Sequence, residues 1–141
     1  MDIRTLTDTY SVTPQISPDD MTTIAQAGFK SVICNRPDAE NPPAYQISEM
    51  EKAASDAGLA LYLNPFPSPM MSMEHVTEQA RLLTNADGPV LAYCASGTRS
   101  CRVWALSQAG QMPVDDIINA GARAGYQLND LRSHIMALAN S

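Results

Sequence analysis

Apolar residues fall in two rhythms along the 141-residue chain. Short continuous runs at 31–35, 59–63 and 90–93, rich in Val, Ile and Leu, predict strands buried inside a sheet. Between them the spacing is helical: Met21, Ile24 and Ala25, then Ile47, Met50, Ala54 and Ala57, then Met73, Val76, Ala80 and Leu83. After the last strand only the helical rhythm remains. Val103 and Leu106 mark one helix, Val114, Ile117, Ile118 and Gly121 a second behind Pro113, and Leu128, Leu131, Ile135 and Leu138 a third. Near the start, 3–6 and 10–13 are β-prone stretches separated by Thr7-Asp8-Thr9, which predicts an edge hairpin or two edge strands.

Local signals punctuate these elements. Ser17-Pro18-Asp19-Asp20 reads as a helix start with a capping serine and acidic first turn, and Ser72 can cap the third helix. Gly28, Gly58 and Gly110 stand where helices stop. Three prolines in Asn64-Pro65-Phe66-Pro67-Ser68-Pro69 exclude regular structure there. Buried strands alternating with amphipathic helices imply an α/β fold, a mostly parallel four- to five-stranded sheet flanked by helices, with residues 1–141 forming one domain. Ligands of such sheets gather beyond the carboxyl ends of the strands. The loops 35–43, 64–69 and 94–100 should meet there, bringing Arg36, Asp38 and Glu40 within reach of Cys94.

Composition narrows the chemistry. A net charge of −6 with nine scattered Lys and Arg supplies no basic face, which argues against nucleic acid as a partner. No apolar run approaches the roughly 20 residues of a membrane span, so no membrane partner is expected. Met1-Asp2-Ile3-Arg4 lacks a secretory pattern, and a cytoplasmic location is expected. Cys34, Cys94 and Cys101, odd in number and without paired spacing, read as reduced thiols. Together with His75 and His134 they match no zinc-site spacing, and no metal or cofactor is expected.

The stretch that carries chemistry is Tyr93-Cys94-Ala95-Ser96-Gly97-Thr98-Arg99-Ser100. A cysteine ends a strand, small residues wrap it, and a helix opens at the arginine. Loop amides and a helix N-terminus then converge on one point, which favours a thiolate and an anion beside it. Cys94 is the expected nucleophile, and Arg99, a cation in the first turn of a helix where it opposes the dipole, is a candidate ligand contact. Ala95, Ser96, Gly97, Thr98 and Ser100 form the expected cradle, and Ser100 is also a candidate donor to the sulfur. Arg36 is the positive charge nearest the mouth and a candidate substrate contact. Cys101 is a weaker candidate as a resolving thiol; Cys34 and Trp104 read as core, His134 as partly buried, and the Met70-Met71-Ser72-Met73 cluster as gap-filling.

Cys-x-x-Gly-x-Arg-Ser at a strand-to-helix turn resembles the loops of protein tyrosine phosphatases and rhodaneses. With Asn35-Arg36-Pro37-Asp38-Ala39-Glu40, the strand into Pro65, and Trp104-Ala105-Leu106, the chain more closely resembles a small bacterial family, the beta-lactamase-hydrolase-like proteins. Its members are described both as phosphatase-like domains and as sulfurtransferases. The resemblance implies a compact tyrosine-phosphatase-like fold, with Cys94 as nucleophile and Arg99 as clamp. It also implies a functional link to persulfide dioxygenase-like proteins, to which some relatives are fused. Ala95 stands where the commoner pattern has arginine, which removes one positive charge.

Counting along the loop separates two substrates. Tyrosine phosphatases place the arginine six positions after the cysteine, whereas Arg99 stands at five, the rhodanese-like spacing. Phosphomonoester cleavage also calls for a proton donor to the leaving group. Residues 61–73 hold no carboxylate, leaving Asp38, with Glu40 behind it, as the candidate acid. Sulfane-sulfur transfer needs no such acid, because sulfite or a thiolate leaves as an anion. The sequence therefore favours a sulfurtransferase that passes sulfur from thiosulfate or a small persulfide through a Cys94 persulfide. A cysteine-dependent phosphatase acting through a Cys94 phosphocysteine is the second reading. A non-catalytic module that binds an anion or a partner is the third.

Overall fold

Val90–Tyr93 (β5) is buried along its whole length because it lies between two parallel neighbours, Tyr10–Thr13 (β2) and Ser31–Cys34 (β3). In this computed structural model, which describes residues 1–141, Arg4–Thr7 (β1) pairs antiparallel with β2 at one edge. Ala60–Leu63 (β4) pairs parallel with β3 at the other, giving the order β1-β2-β5-β3-β4. The sheet is thus the five-stranded, mostly parallel one expected. Two placements differ. β2 is an interior strand, since only β1 of the opening pair sits at the edge. The apolar run ending at Leu63 is an edge strand whose Leu63 is 42% exposed, because no strand follows to cover it.

Side-chain alternation divides the interior. Tyr10, Val12, Ile33, Val90 and Ala92 face one core with Trp104, Ile117 and Ile135, and Val32, Cys34, Leu91 and Tyr93 face a second with Met21, Ile24 and Met50. The first core is roofed by Met73–Asn85 (α3), Thr98–Ser107 (α4), Val114–Arg123 (α5) and Arg132–Ala139 (α6); the second by Asp20–Gln26 (α1) and Ile47–Asp56 (α2). Trp104 is 1% exposed and stacks on Tyr10 at 5.9 Å between centroids, worth about 1 kcal/mol beyond its burial.

Helix starts follow local chemistry. Ser17 does not cap α1 through its hydroxyl; its backbone N–H donates to the Asp20 carboxylate (2.9 Å), and the helix begins at Asp20. Ser72 does cap α3, and His75 closes the box by accepting the Ser72 N–H at Nδ1 (3.1 Å). His75 also packs against Phe66 at 4.8 Å between ring centroids.

The strands end in register. Tyr93 lies opposite Cys34 and Cys34 opposite Leu63, so the next residues, Cys94, Asn35 and Asn64, form one row at the carboxyl edge. The ladder carries on through them, with Asn35 N–H donating to Tyr93 O and Asn64 N–H to Cys34 O, both 2.9 Å. Beneath this row lies a closed polar knot. Ser100 Oγ donates to Asn35 Oδ1 (2.8 Å), and Asn35 Nδ2 donates to Asn64 O and Gln79 Oε1 (both 3.0 Å). Asn64 Nδ2 shares that Gln79 oxygen (2.8 Å), Gln79 Nε2 donates to Tyr10 Oη (3.1 Å), and Tyr10 Oη donates to Ser100 O (2.8 Å).

Asn35, Gln79 and Ser100 are all fully buried, so these groups have no water to fall back on. Asn35→Ala should therefore cost about 3 kcal/mol, since it strands the Ser100 hydroxyl and takes a donor from Gln79 and Asn64. Urea midpoints of Asn35→Ala, Ser100→Ala and the double variant would check this. The two losses should be far from additive, and additivity would show that the groups are not coupled.

Candidate active site

The row beyond the strands turns into α4 through the loop that holds Cys94. Gly97 caps α4 with φ +91°, a left-handed conformation, and donates its N–H to Cys94 Sγ at 3.1 Å. The Thr98 N–H donates to Ser96 Oγ (3.4 Å), while the Arg99 and Ser100 amides, also in the first turn of α4, have no carbonyl acceptor within the helix. The loop is held from outside. Ala95 O accepts Gln15 N–H (3.1 Å), and Ser96 O accepts the Tyr126 hydroxyl (3.0 Å). Ser96 Oγ donates to Thr98 Oγ1 (2.9 Å).

A Cβ on Gly97 would run into the Tyr126 hydroxyl. Gly97→Ala should therefore cost about 2 kcal/mol through strain and that clash. Adding Tyr126→Phe should restore part of the loss by clearing the clash. Thermal unfolding of the two variants reads the difference, and no recovery would mean that backbone strain accounts for all of it.

Arg99 is the second element of the site. Its side chain is only 11% exposed. Nη1 and Nη2 grip the two Glu40 carboxylate oxygens at 2.9 and 2.7 Å, and Nη1 also donates to Phe66 O at 3.0 Å. A guanidinium has five N–H donors in a fixed plane. Three are spent, and the remaining two, on Nε and Nη2, share one edge of that plane. Such an edge suits two oxygens of an oxyanion. Burial pulls the Arg99 pKa down, but the Glu40 hydrogen bonds and the neighbouring Cys94 raise it by more, so the clamp is always charged.

Glu40 is the residue that sequence reasoning undervalued. It stands 59 positions from Arg99, and only its spacing of four from Arg36 hinted at a shared role. The Arg99 hydrogen bonds, reinforced by Arg36, hold its carboxyl below the usual glutamate range. A depressed folded pKa means that the stabilisation is complete above the unfolded value and is lost as pH falls through the folded one. The stability lost in Glu40→Gln should thus be constant from neutral into mildly acid pH, shrinking only below the ordinary glutamate range. Urea titrations of both proteins at a series of pH values would show it, and a gap already closing near neutrality would contradict it.

Other expected contributors sit elsewhere. Arg36, expected at the mouth, backs the Arg99 partner: Nε and Nη2 donate to Glu40 Oε1 and Glu40 O (both 3.2 Å), and Nη1 to Gln15 Oε1 (3.2 Å). Asp38, the candidate acid, accepts the Ile47 N–H at 2.7 Å and so caps α2. Ser100 spends its hydroxyl proton on Asn35 rather than on the sulfur. Cys101 is wholly buried with its thiol pushed up to about 12 by burial, which disfavours a resolving role. Cys34 is core. His134 is exposed rather than partly buried, and it lies on the rim of a groove.

That groove, of about 570 Å³, runs from Ala95, Ser96, Thr98 and Arg99 between the 64–72 loop and α6. Met71, Met73, Val76, Leu106 and Leu131 supply its apolar walls, so the methionine cluster lines a surface. Met70, beside them, is 69% exposed. Cys94 lies under the loop and is 0% exposed.

Comparison with known proteins bears on the family and the fold. The family model described as beta-lactamase hydrolase-like protein, phosphatase-like domain, matches residues 2–111. A beta-lactamase hydrolase-like protein of Xylella fastidiosa is 29% identical over 130 residues, covering 91% of this chain and 30% of that protein. The chain thus spans less than a third of that relative's length. Among solved structures, a Neisseria meningitidis protein assigned provisionally as a phosphatase is 32% identical with a TM-score of 0.83, covering 98% of this chain and 99% of that one. Tk-PTP, crystallised in its active form, is 18% identical with a TM-score of 0.76, covering 99% and 97%. The fold is tyrosine-phosphatase-like.

Proposed function

The chain belongs to the family of beta-lactamase hydrolase-like, phosphatase-like domains, and from that premise we propose that it is a cysteine-dependent phosphatase. The observation that carries this reading is the pairing of Cys94, under the Gly97 N–H, with an Arg99 whose one free edge can hold two oxygens of a phosphoryl group. The Cys94 thiolate attacks phosphorus, an S–P bond forms, and the P–O bond to the leaving group breaks with its electron pair going to that oxygen. Water then attacks the phosphocysteine, the S–P bond breaks, and inorganic phosphate leaves with restoration of the thiolate. Loop amides and Arg99 stabilise the charge on the equatorial oxygens during both steps.

The family match and the phosphatase fold support phosphate over sulfur, the reverse of the order drawn from the sequence. The direct test is intact mass of the protein quenched in acid during turnover of dinitrophenyl phosphate. A phosphate adduct on Cys94, absent from Cys94→Ser, supports the reading; phosphate release without Cys94 sinks it.

A second reading, sulfane-sulfur transfer, keeps its own support: Arg99 stands five positions after Cys94, and no carboxylate lines the groove. Incubation with thiosulfate or glutathione persulfide should then add one sulfur atom to Cys94. A thiol unchanged in mass after both donors removes this reading.

A further inference from the structure

A groove that begins at the anion clamp and continues as an apolar trough is shaped for the part of the substrate that phosphate leaves behind. The cradle residues Ser96, Thr98 and Arg99 contribute the polar end, Met71, Val76 and Leu131 the apolar walls, and Arg102, which also lines the groove, is neutralised by Asp130. No aspartate or glutamate lines it. Three carboxylates from the neighbouring segments are committed elsewhere. Asp38 caps α2, and Glu40 holds Arg99. Asp130 grips Arg102 through both oxygens at 3.1 and 2.6 Å. Those ion pairs hold the Glu40 and Asp130 carboxyls below their usual range through the arginine hydrogen bonds, the opposite of what a proton donor needs.

Resting on the phosphatase reading, we infer that the substrates are phosphate compounds whose leaving group is apolar and departs as a stable anion without protonation by a carboxylate: aryl, enol or acyl phosphates. Two features combine in this choice. The trough desolvates and holds a flat or branched apolar body, and the phenolate, enolate or carboxylate it releases carries its own negative charge. Simple alkyl phosphates fit neither feature, since an alkoxide is too basic to leave unprotonated and a polar body gains nothing from the methionine wall. His134 on the rim is the one imidazole lining the groove, which makes it the natural challenger as proton donor.

The experiment is a leaving-group series with the full chain: acetyl, dinitrophenyl, para-nitrophenyl and phenyl phosphate, with glycerol phosphate as the polar alkyl member. Missing acid assistance amounts to about 10²–10⁴-fold in rate. The value of kcat/KM should therefore fall steeply as leaving-group basicity rises, by about 10³-fold or more from dinitrophenyl to phenyl phosphate, and glycerol phosphate should be inert. His134→Asn should leave the slope unchanged. A shallow dependence in the wild type overturns the inference while leaving the phosphatase reading intact. If that shallow slope steepens in His134→Asn, the histidine is the acid. Failure of acetyl and dinitrophenyl phosphate alike to phosphorylate Cys94 overturns the inference and the phosphatase reading together.

Discussion

Cys94→Ser should lower phosphate release from an activated aryl phosphate by at least about 10⁴-fold, with the fold intact. The sulfur is the atom that forms the bond to phosphorus, and a serine hydroxyl in its place is far less ionised and a poorer nucleophile. Everything around it would remain. Gly97 N–H still points at the same position, and the loop is still held by Gln15 and Tyr126. The variant should therefore keep its affinity for inorganic phosphate or arsenate while losing turnover. Steady-state kinetics together with calorimetric anion binding separate the two. A variant retaining a tenth of wild-type activity would exclude Cys94 as the nucleophile.

Arg99→Lys carries the second largest expected effect, a fall in kcat/KM of about 10²–10³-fold, close to that of removing a transition-state donor altogether. Lysine keeps the charge and loses the fork. A single ammonium cannot grip both Glu40 oxygens, reach Phe66 O and still offer a two-donor edge to the substrate. Most of the loss should fall on kcat, because the fork is aimed at charge that builds as phosphorus is attacked. Glu40→Gln should give a smaller loss of the same kind, since Arg99 would keep its charge and lose its brace. Equal rates for the wild type and the Arg99→Lys variant would show that charge alone is needed.

The thiol loop was legible because each of its signals is local. An apolar run buried on both faces, a cysteine, four small residues and the first apolar positions of a helix all lie within 90–106. The residues that brace it were not, since their spacing along the chain carries no period. Gln79 occupies a buried position on α3 where helical spacing predicts an apolar residue, and only the knot with Asn35, Asn64 and Tyr10 makes that burial tolerable. Glu40 and Arg99 meet only because β3 and β5 are neighbours in the sheet. The run 59–63 reads the same whether a strand is central or at an edge, so its pattern predicts burial for β4 that the sheet order does not supply. Asp38 and Arg36 follow directly on a strand end and so invite catalytic roles, yet the 35–43 segment turns their polar groups to α2 and Glu40.

All three cysteines are buried, which sets their order of reaction with alkylating reagents. Cys34 and Cys101 are locked in the two cores and should modify only when the whole fold opens, at a rate that reports global stability. Cys94 is covered merely by the loop that wraps it, so a local displacement of Ala95 to Thr98 would be enough to admit a small reagent. Iodoacetate, an anion of modest size, should label Cys94 long before a bulky aromatic disulfide does. Bound phosphate, by pinning the loop, should slow that labelling without touching the other two thiols. Counting modified cysteines against time would then read local breathing and global unfolding from one sample.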